Sequence, residues 1–434
     1  MHYVVLGAGP SGVVAAETLR KADPNGKVTL VGGEPEPPYS RMAIPYFLTG
    51  KIQAEGTYLR KTPNHYDTQG IGYRQGLAQR LRPDEKKIDF TDGSHLSYDR
   101  LLIATGARPV RPPIPGLDRK GVHHCWTLED ARNIIDLAQP GSHVVLMGAG
   151  FIGCIVLEAL AMRGVRLTVV EMGDRMVPRM MNETAGTMIK TWCEKKGIRV
   201  LTSTKIKSLQ SVAAEKERGI FARLFRREPV VEASDTIDVE LDSGEMLAAH
   251  LVVVSAGVRP NVEFLENSGV KIDRGILVDR YMRTSVNDVY AAGDVAQGYD
   301  FSTKAHDVHA IQPTASEHGR IAAMNMAGHN VQYNGSLQMN VLDTLGLISS
   351  SFGLWAGVDG GEKVEVVDHD NYKYISLQFA DDVLVGGTAI GLTQHVGCLR
   401  GLIQAETKLG VWKERLMKDP YRLMDAYVAN SQIR

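Results

Sequence analysis

Tyr3-Val4-Val5-Leu6-Gly7-Ala8-Gly9-Pro10-Ser11-Gly12 opens the chain as an apolar run that breaks on three glycines. The run predicts a buried strand, and the pattern from Val13 to Lys21 predicts a helix directly behind it. The three glycines have different tasks. Gly7 permits the tight turn, Gly9 lets the backbone approach a pyrophosphate, and Gly12 lets the helix pack against the strand. Pro10 and Ser11 begin the helix, where free N–H groups and the positive dipole end suit phosphate. A second strand, Lys27 to Val31, ends near Glu34, an acid placed about twenty residues on to accept from ribose hydroxyls.

The pattern returns once. Val144-Val-Leu-Met-Gly148-Ala-Gly150-Phe151-Ile152-Gly153 repeats strand, glycines and helix start, and Leu167-Thr-Val-Val-Glu171 repeats the second strand with its terminal acid. Two copies in one chain predict two dinucleotide-binding domains of α/β class. Between them Glu34 to Tyr46 reads as a proline-rich binding loop, in which the planar guanidinium of Arg41 can grip two phosphate oxygens. Lys86 to Gly93 reads as a hairpin, and Tyr98 to Gly106 as a buried strand ending beside the ligand at Thr105-Gly106. Arg108 to Pro115 marks a linker, followed by a helix from Thr127 to Leu137.

The second domain runs to the apolar strand that ends at Gly257. The chain then crosses back, and Gly275 to Asp279 and Val289 to Asp294 read as strands completing the first domain. Asp294, at a strand end after Gly293, is placed to bond a cofactor hydroxyl. The helix from Pro313 to Met326 starts where its positive end can stabilise negative charge on the ligand. Strand patterns and then helical ones from about Val331 onward predict a separate α+β tail. The expected boundaries are 1–112 and 259–330 for the first domain, 113–258 for the second and 331–434 for the tail. An excursion from Ser211 to Glu228, with Ile220, Phe221, Leu224 and Phe225 on one helical face, reads as a packed and solvated insertion.

Composition narrows the function. A hydrophobic content of 44%, a charged content of 23% and a net charge of -1 describe an ordinary globular protein and argue against a nucleic-acid binder. No apolar run is long enough to span a bilayer, and the first strand leaves no room for a leader, so a cytoplasmic protein is expected. Cys125, Cys154, Cys193 and Cys398 have neither redox-disulfide nor cluster-ligand spacing. His306 and His309 stand at i, i+3 without an evident third ligand, and His123-His124 point apart on a strand, so no metal site is assigned.

With both glycine motifs, Ala104-Thr-Gly106 and Tyr290-Ala-Ala-Gly-Asp294, residues 1 to about 330 resemble the two-dinucleotide flavoprotein reductases of the pyridine nucleotide-disulfide oxidoreductase superfamily. Pro38 to Lys51 and Ala310-Ile-Gln-Pro-Thr-Ala look like its NADH:rubredoxin and ferredoxin reductase branch, which includes flavin subunits similar to those of phenylglyoxylate dehydrogenase and tungsten aldehyde oxidoreductase. The resemblance implies FAD at the first motif, with Ala78, Gln312 and Pro313 joining its site, and NAD at the second. It also implies an NADH:acceptor oxidoreductase that passes electrons to an iron-sulfur partner as the flavin subunit of a larger assembly. A stand-alone small-molecule reductase and a non-catalytic FAD-holding subunit are the alternatives, as is a homodimer built on the tail. Two departures stand out. Met42 occupies the position of the redox cysteine of the peroxidase and disulfide members, which disfavours thiol chemistry. Ile155 stands where relatives carry a glutamate, with Glu158 the candidate substitute almost one turn later.

Overall fold

The computed structural model describes residues 1–211, 236–394 and 396–431; the excursion from Ser211 to Glu228 falls almost wholly outside them. β1 (His2–Leu6) leads into α1 (Pro10–Ala22), and β2 (Lys27–Gly32), β3 (Ile71–Gln75) and β4 (Arg100–Ile103) follow. Val4, Val5, Leu101 and Leu102 are fully buried, as expected of parallel strands covered on both faces. Helix α1 turns Val13, Ala15, Ala16 and Leu19 inward. Lys87–Phe90 and His95–Ser97 form the expected hairpin on the edge of this unit.

The second unit contains β5 (Val122–His124), α2 (Leu128–Leu137), β6 (His143–Met147), α3 (Phe151–Met162), β7 (Arg166–Val170), β8 (Arg199–Leu201) and β9 (Leu251–Val254). Its parallel sheet has the order β8-β7-β6-β9-β5. The chain then returns to the first unit through β10 (Val289–Ala291), β11 (Ala296–Tyr299), β12 (His306–Asp307) and α4 (Gln312–Met326). β10 pairs with β4 and gives the first sheet the order β10-β4-β1-β2-β3. The other returning segment does not join it. Ile276–Leu277 pairs with β11 instead, because β11 and β12 make a small separate sheet over α4.

In both large sheets the motif strand lies between its own second strand and the strand that returns later, so β1 is flanked by β2 and β4, and β6 by β7 and β9. The chain leaves in opposite directions on the two sides, which opens a crevice at the carboxyl ends of the strands.

The tail is an antiparallel sheet of β13 (Met339–Thr344), β14 (Leu347–Gly353), β15 (Glu362–Asp368), β16 (Lys373–Ala380) and β17 (Val383–Ile390), in the order β13-β14-β17-β16-β15. The helices α5 (Val396–Gln404), α6 (Val411–Lys418) and α7 (Leu423–Ser431) follow. Leu342, Leu347, Tyr374 and Ile390 of this sheet are buried in the core of the second unit, so the tail is fastened there rather than hanging free. Among the described residues no helix is long and apolar enough to cross a membrane.

Candidate functional site

Three helices start on one cavity of about 710 Å³. Its wall takes in Gly7, Gly9, Pro10 and Ser11 at the start of α1, Phe151 and Ile152 at the start of α3, and Gln312 at the start of α4. Among the described residues none caps any of the three helices by a side chain, which leaves first-turn N–H groups available to a ligand. Helix α2, which does not open on the cavity, is by contrast closed by a capping box between Thr127 and Asp130.

The glycines behave as their spacing requires. Gly7 has a φ of +120°, and a Cβ there would overlap the Ala104 carbonyl. A Cβ on Gly12 would overlap the Gly7 carbonyl, so this glycine sets the approach of helix to strand. Gly9 faces open space, which is the opening a pyrophosphate needs. Gly148, Gly153 and Gly150 repeat these three situations in order. The hydroxyl of Ser11 is buried without a partner among the described residues, a further group suited to a bound phosphate or hydroxyl.

Thr105, Gly106, Asp294 and Ala78 lie on the same wall. Thr105 is fixed by a reciprocal pair: its hydroxyl donates to the Asn261 carbonyl at 3.0 Å and its carbonyl accepts from Asn261 Nδ2 at 2.9 Å. No hydrogen bond from another described residue reaches the Asp294 carboxylate. Burial among apolar groups raises its pKa to about 6, with Arg41 pulling in the other direction. A hydroxyl donor bound there would stabilise the ionised form. Gln312 Oε1 accepts from Ser40 at 2.6 Å, and Pro313 stands behind it, outside the wall.

Glu34 and Arg41 come together more closely than the sequence suggested. Arg41 reaches Glu34 Oε1 at 2.6 Å and the Tyr39 hydroxyl at 2.8 Å, lies over the Trp126 ring, and donates to the Trp126 carbonyl at 2.5 Å. Tyr39 in turn donates to Glu34 Oε2 at 2.6 Å. Both Glu34 and Arg41 line the cavity. Tyr39, Trp126 and Asn261 went unread in the sequence: Trp126 and Asn261 act through contacts with residues distant in the chain, and Tyr39 lies in a loop whose folding back on Glu34 no local pattern signals.

The second motif stands next to this cavity. Glu171, 8% exposed, has both oxygens held by backbone N–H groups, those of Ala149 and Gly173, each at 2.6 Å. The acid is thereby fixed at the lip of the Gly148–Gly153 turn, with Gly257, at a φ of +98°, beyond the end of β9. Arg175, the nearest cation in sequence, is engaged by Asp174 and the Met181 carbonyl. These features fit the two cofactors: open glycine turns, uncapped helix starts and an acceptor carboxylate at each motif suit FAD at the first and NAD at the second.

One expectation is corrected. Glu158 does not replace the missing glutamate at position 155; it turns toward the tail, where its carboxylate accepts from the Leu345 N–H at 3.4 Å. Ile155 is on the cavity wall, so α3 presents an apolar face there. Met42 and Cys125 also line the cavity, and burial pushes the Cys125 thiol up to about 12.

The profile of the pyridine nucleotide-disulphide oxidoreductase family matches residues 1–308. The chain is 30% identical over 422 residues to the epsilon subunit of NADH-dependent phenylglyoxylate dehydrogenase of Aromatoleum evansii, covering 96% of this chain and 95% of that one. It is 26% identical to the rubredoxin-NAD(+) reductase of Ectopseudomonas oleovorans, covering 93% and 99%. Among solved structures, the covalent putidaredoxin reductase-putidaredoxin complex has the same fold, with a TM-score of 0.87 at 22% identity and 99% of each chain covered.

Proposed function

The chain belongs to the pyridine nucleotide-disulphide oxidoreductase family, as an oxidoreductase that uses FAD and NAD, and on that premise we propose that it moves electrons between NADH and a protein-borne iron-sulfur acceptor. The observation that carries this reading is the single cavity onto which α1, α3 and α4 all open. A ligand held by the first motif and one held by the second would meet at its α3 wall.

Flavin, when bound, would supply the redox chemistry that links hydride transfer to single-electron transfer. The protein's part is orientation, exclusion of water and charge. Phe151, Ile152 and Ile155 make an apolar surface where the two ligands would approach. The free N–H groups at the start of α4 favour negative charge developing next to them. No side-chain acid or base is required, and the cysteines are unsuited to a thiol step: burial raises the thiol pKa of all four, Cys154 well above its ordinary value. Met42 cannot form a thiolate at all.

The full-length match to a dehydrogenase epsilon subunit supports a role as the flavin subunit of a larger assembly. Anaerobic addition of NADH to the purified flavoprotein tests the first half of the reading: bleaching of the flavin absorbance is expected. Unchanged absorbance would favour a subunit that holds FAD without catalysis.

A further inference from the structure

Asp300 lies directly after β11 and is 1% exposed. Its Oδ1 accepts from the backbone N–H groups of Ser302 at 2.6 Å and Thr303 at 3.3 Å, and its Oδ2 faces His309 Nε2 at 3.2 Å. The His309 side chain is 8% exposed, and its other nitrogen, Nδ1, is buried with no partner among the described residues. Asp307 completes the group: Asp300, Asp307 and His309 each bring a ligand-capable atom within 4.8 Å of the others. His318 lies nearby on α4, close enough for the charge of His309 to weigh on it; it is 2% exposed and neither of its nitrogens has a partner among the described residues. Buried polar atoms in native proteins are nearly always paired, and here two neighbouring histidines keep unpartnered nitrogens beside the cluster, on atoms other than the Nε2 that faces Asp300.

We propose that Asp300, Asp307 and His309 bind one divalent transition-metal ion, with His318 beside them. Two carboxylates and an imidazole form a donor set suited to zinc, cobalt(II) or iron(II). With bonds of about 2.0–2.2 Å, tetrahedral donors on one ion stand about 3.3–3.6 Å apart, so Asp300 and His309 are already near that spacing and Asp307 would close in by about an ångström. The backbone N–H groups on Asp300 Oδ1 orient that ligand from behind. Asp307 has its Oδ1 engaged by the Val308 N–H at 2.6 Å and by Arg274 at 3.0 Å, which leaves Oδ2 for the ion. His306, the partner suggested by i, i+3 spacing, is on the outside, with its ring against Tyr299. Asp300 and Asp307 supply what His306 does not.

The site sits where two parts of the molecule are joined. The Phe301 N–H donates to the Ser336 carbonyl at 2.9 Å, Lys304 pairs with Glu406 of the tail at 2.6 Å, and Phe301 packs on the tail core. On the other side, Ala310 and Gln312 are on the cavity wall. The ion is structural and takes no part in electron transfer: it would hold the segment between tail and cavity in one conformation.

The test uses the untagged, full-length flavoprotein, stripped with a chelator, desalted and titrated with cobalt(II). One equivalent is expected to give ligand-field absorption to the red of the flavin bands, to be displaced by zinc, and to raise the melting temperature. His309→Ala and Asp307→Asn should each weaken binding at least about tenfold, and His306→Gln should bind like the unaltered protein. Asp307 is only partly buried, so its variant is readable even if His309→Ala fails to fold, and flavin content reports folding in each. Absence of stoichiometric binding, or binding that His309→Ala and Asp307→Asn leave unchanged, would overturn the site.

Discussion

Two carboxylates in similar chain positions are held in different ways. Glu34 is bound by the side chains of Arg41 and Tyr39, whereas Glu171 is fixed by the backbone of Ala149 and Gly173. A fixed carboxylate at the second motif would accept from two ribose hydroxyls but repel a 2'-phosphate, and Arg175 is too engaged to offset that repulsion. Like-charge juxtaposition costs on the order of several kcal/mol, so kcat/KM for NADH should exceed that for NADPH by at least about a hundredfold. Steady-state rates with both nucleotides measure it, and similar values would contradict the assignment. Asp294 makes a different prediction. Its raised pKa means that the folded chain keeps the proton up to about pH 6, whereas the unfolded chain releases it at 3.8. The folded state therefore binds more protons inside that window, and stability falls as pH rises through it. Asp294→Asn should make the cofactor-free protein melt higher than the unaltered chain above pH about 6, with the gain vanishing below about 4, while FAD affinity falls at least about tenfold for want of an anionic acceptor. Melting curves across pH and flavin titrations separate the two effects; a variant that melts no higher above pH 6 would refute the first.

At the scale of elements, the readable part of the chain was the part whose physics is local. Gly7, Gly9 and Gly12 lie within six residues, and their spacing alone specifies a turn, an opening and a helix contact. Glu158 shows where this stops. Its position one turn after Ile155 is local, but its direction is decided by the Leu345 N–H, which comes from a tail strand pair absent from the sequence reading. Asp300, Asp307 and His309 were illegible for the same reason, since a hairpin between β11 and β12 brings them together. The helical pattern that the sequence shows from Val396 to Leu409 is helix only as far as Gln404, because Glu406, at a φ of +45°, turns the chain and Lys408 bridges to Val383 before α6 begins. The glycine motif allows a test that separates folding from binding. A Cβ on Gly9 meets nothing and one on Gly12 meets the Gly7 carbonyl. Gly9→Ala should therefore fold with nearly unchanged melting temperature yet lose FAD. Gly12→Ala should lose stability by about 1–3 kcal/mol or more, as overpacked cores do, and lose FAD with it. Equal melting temperatures for the two variants would show that the glycines are not divided in this way.

For the molecule as a whole, the question is where the electrons leave. The sequence contains four cysteines, of which Cys154 and Cys193 are fully buried, and none of the four is set up as a thiolate. On the proposed reading, one-electron chemistry continues on another chain, which would have to come close to the cavity. Tyr46, next to the cavity-lining Pro45, is 55% exposed and marks an apolar rim on which such a chain could settle. The tail sheet is already engaged within the chain. Asn182 Nδ2 donates to the Tyr374 hydroxyl at 2.6 Å and Trp192 Nε1 to the Thr344 carbonyl at 3.0 Å, so its sheet already faces the second unit. Trp412 packs on the tail core with Arg415 and Arg422 over its ring, while Met424, Tyr427 and Val428 of α7 stay exposed. Assembly through these surfaces predicts that the protein, purified anaerobically from its source, elutes with an iron-sulfur chain and turns over slowly once separated from it. Tyr46→Glu should slow reduction of that partner at least about tenfold, because a buried unpaired charge at an interface costs on the order of 2 kcal/mol or more, and leave reduction of the flavin by NADH unchanged. A free homodimer without iron that reduces a small molecule rapidly, and a Tyr46→Glu variant indifferent to every protein acceptor, would instead make this chain a self-contained reductase.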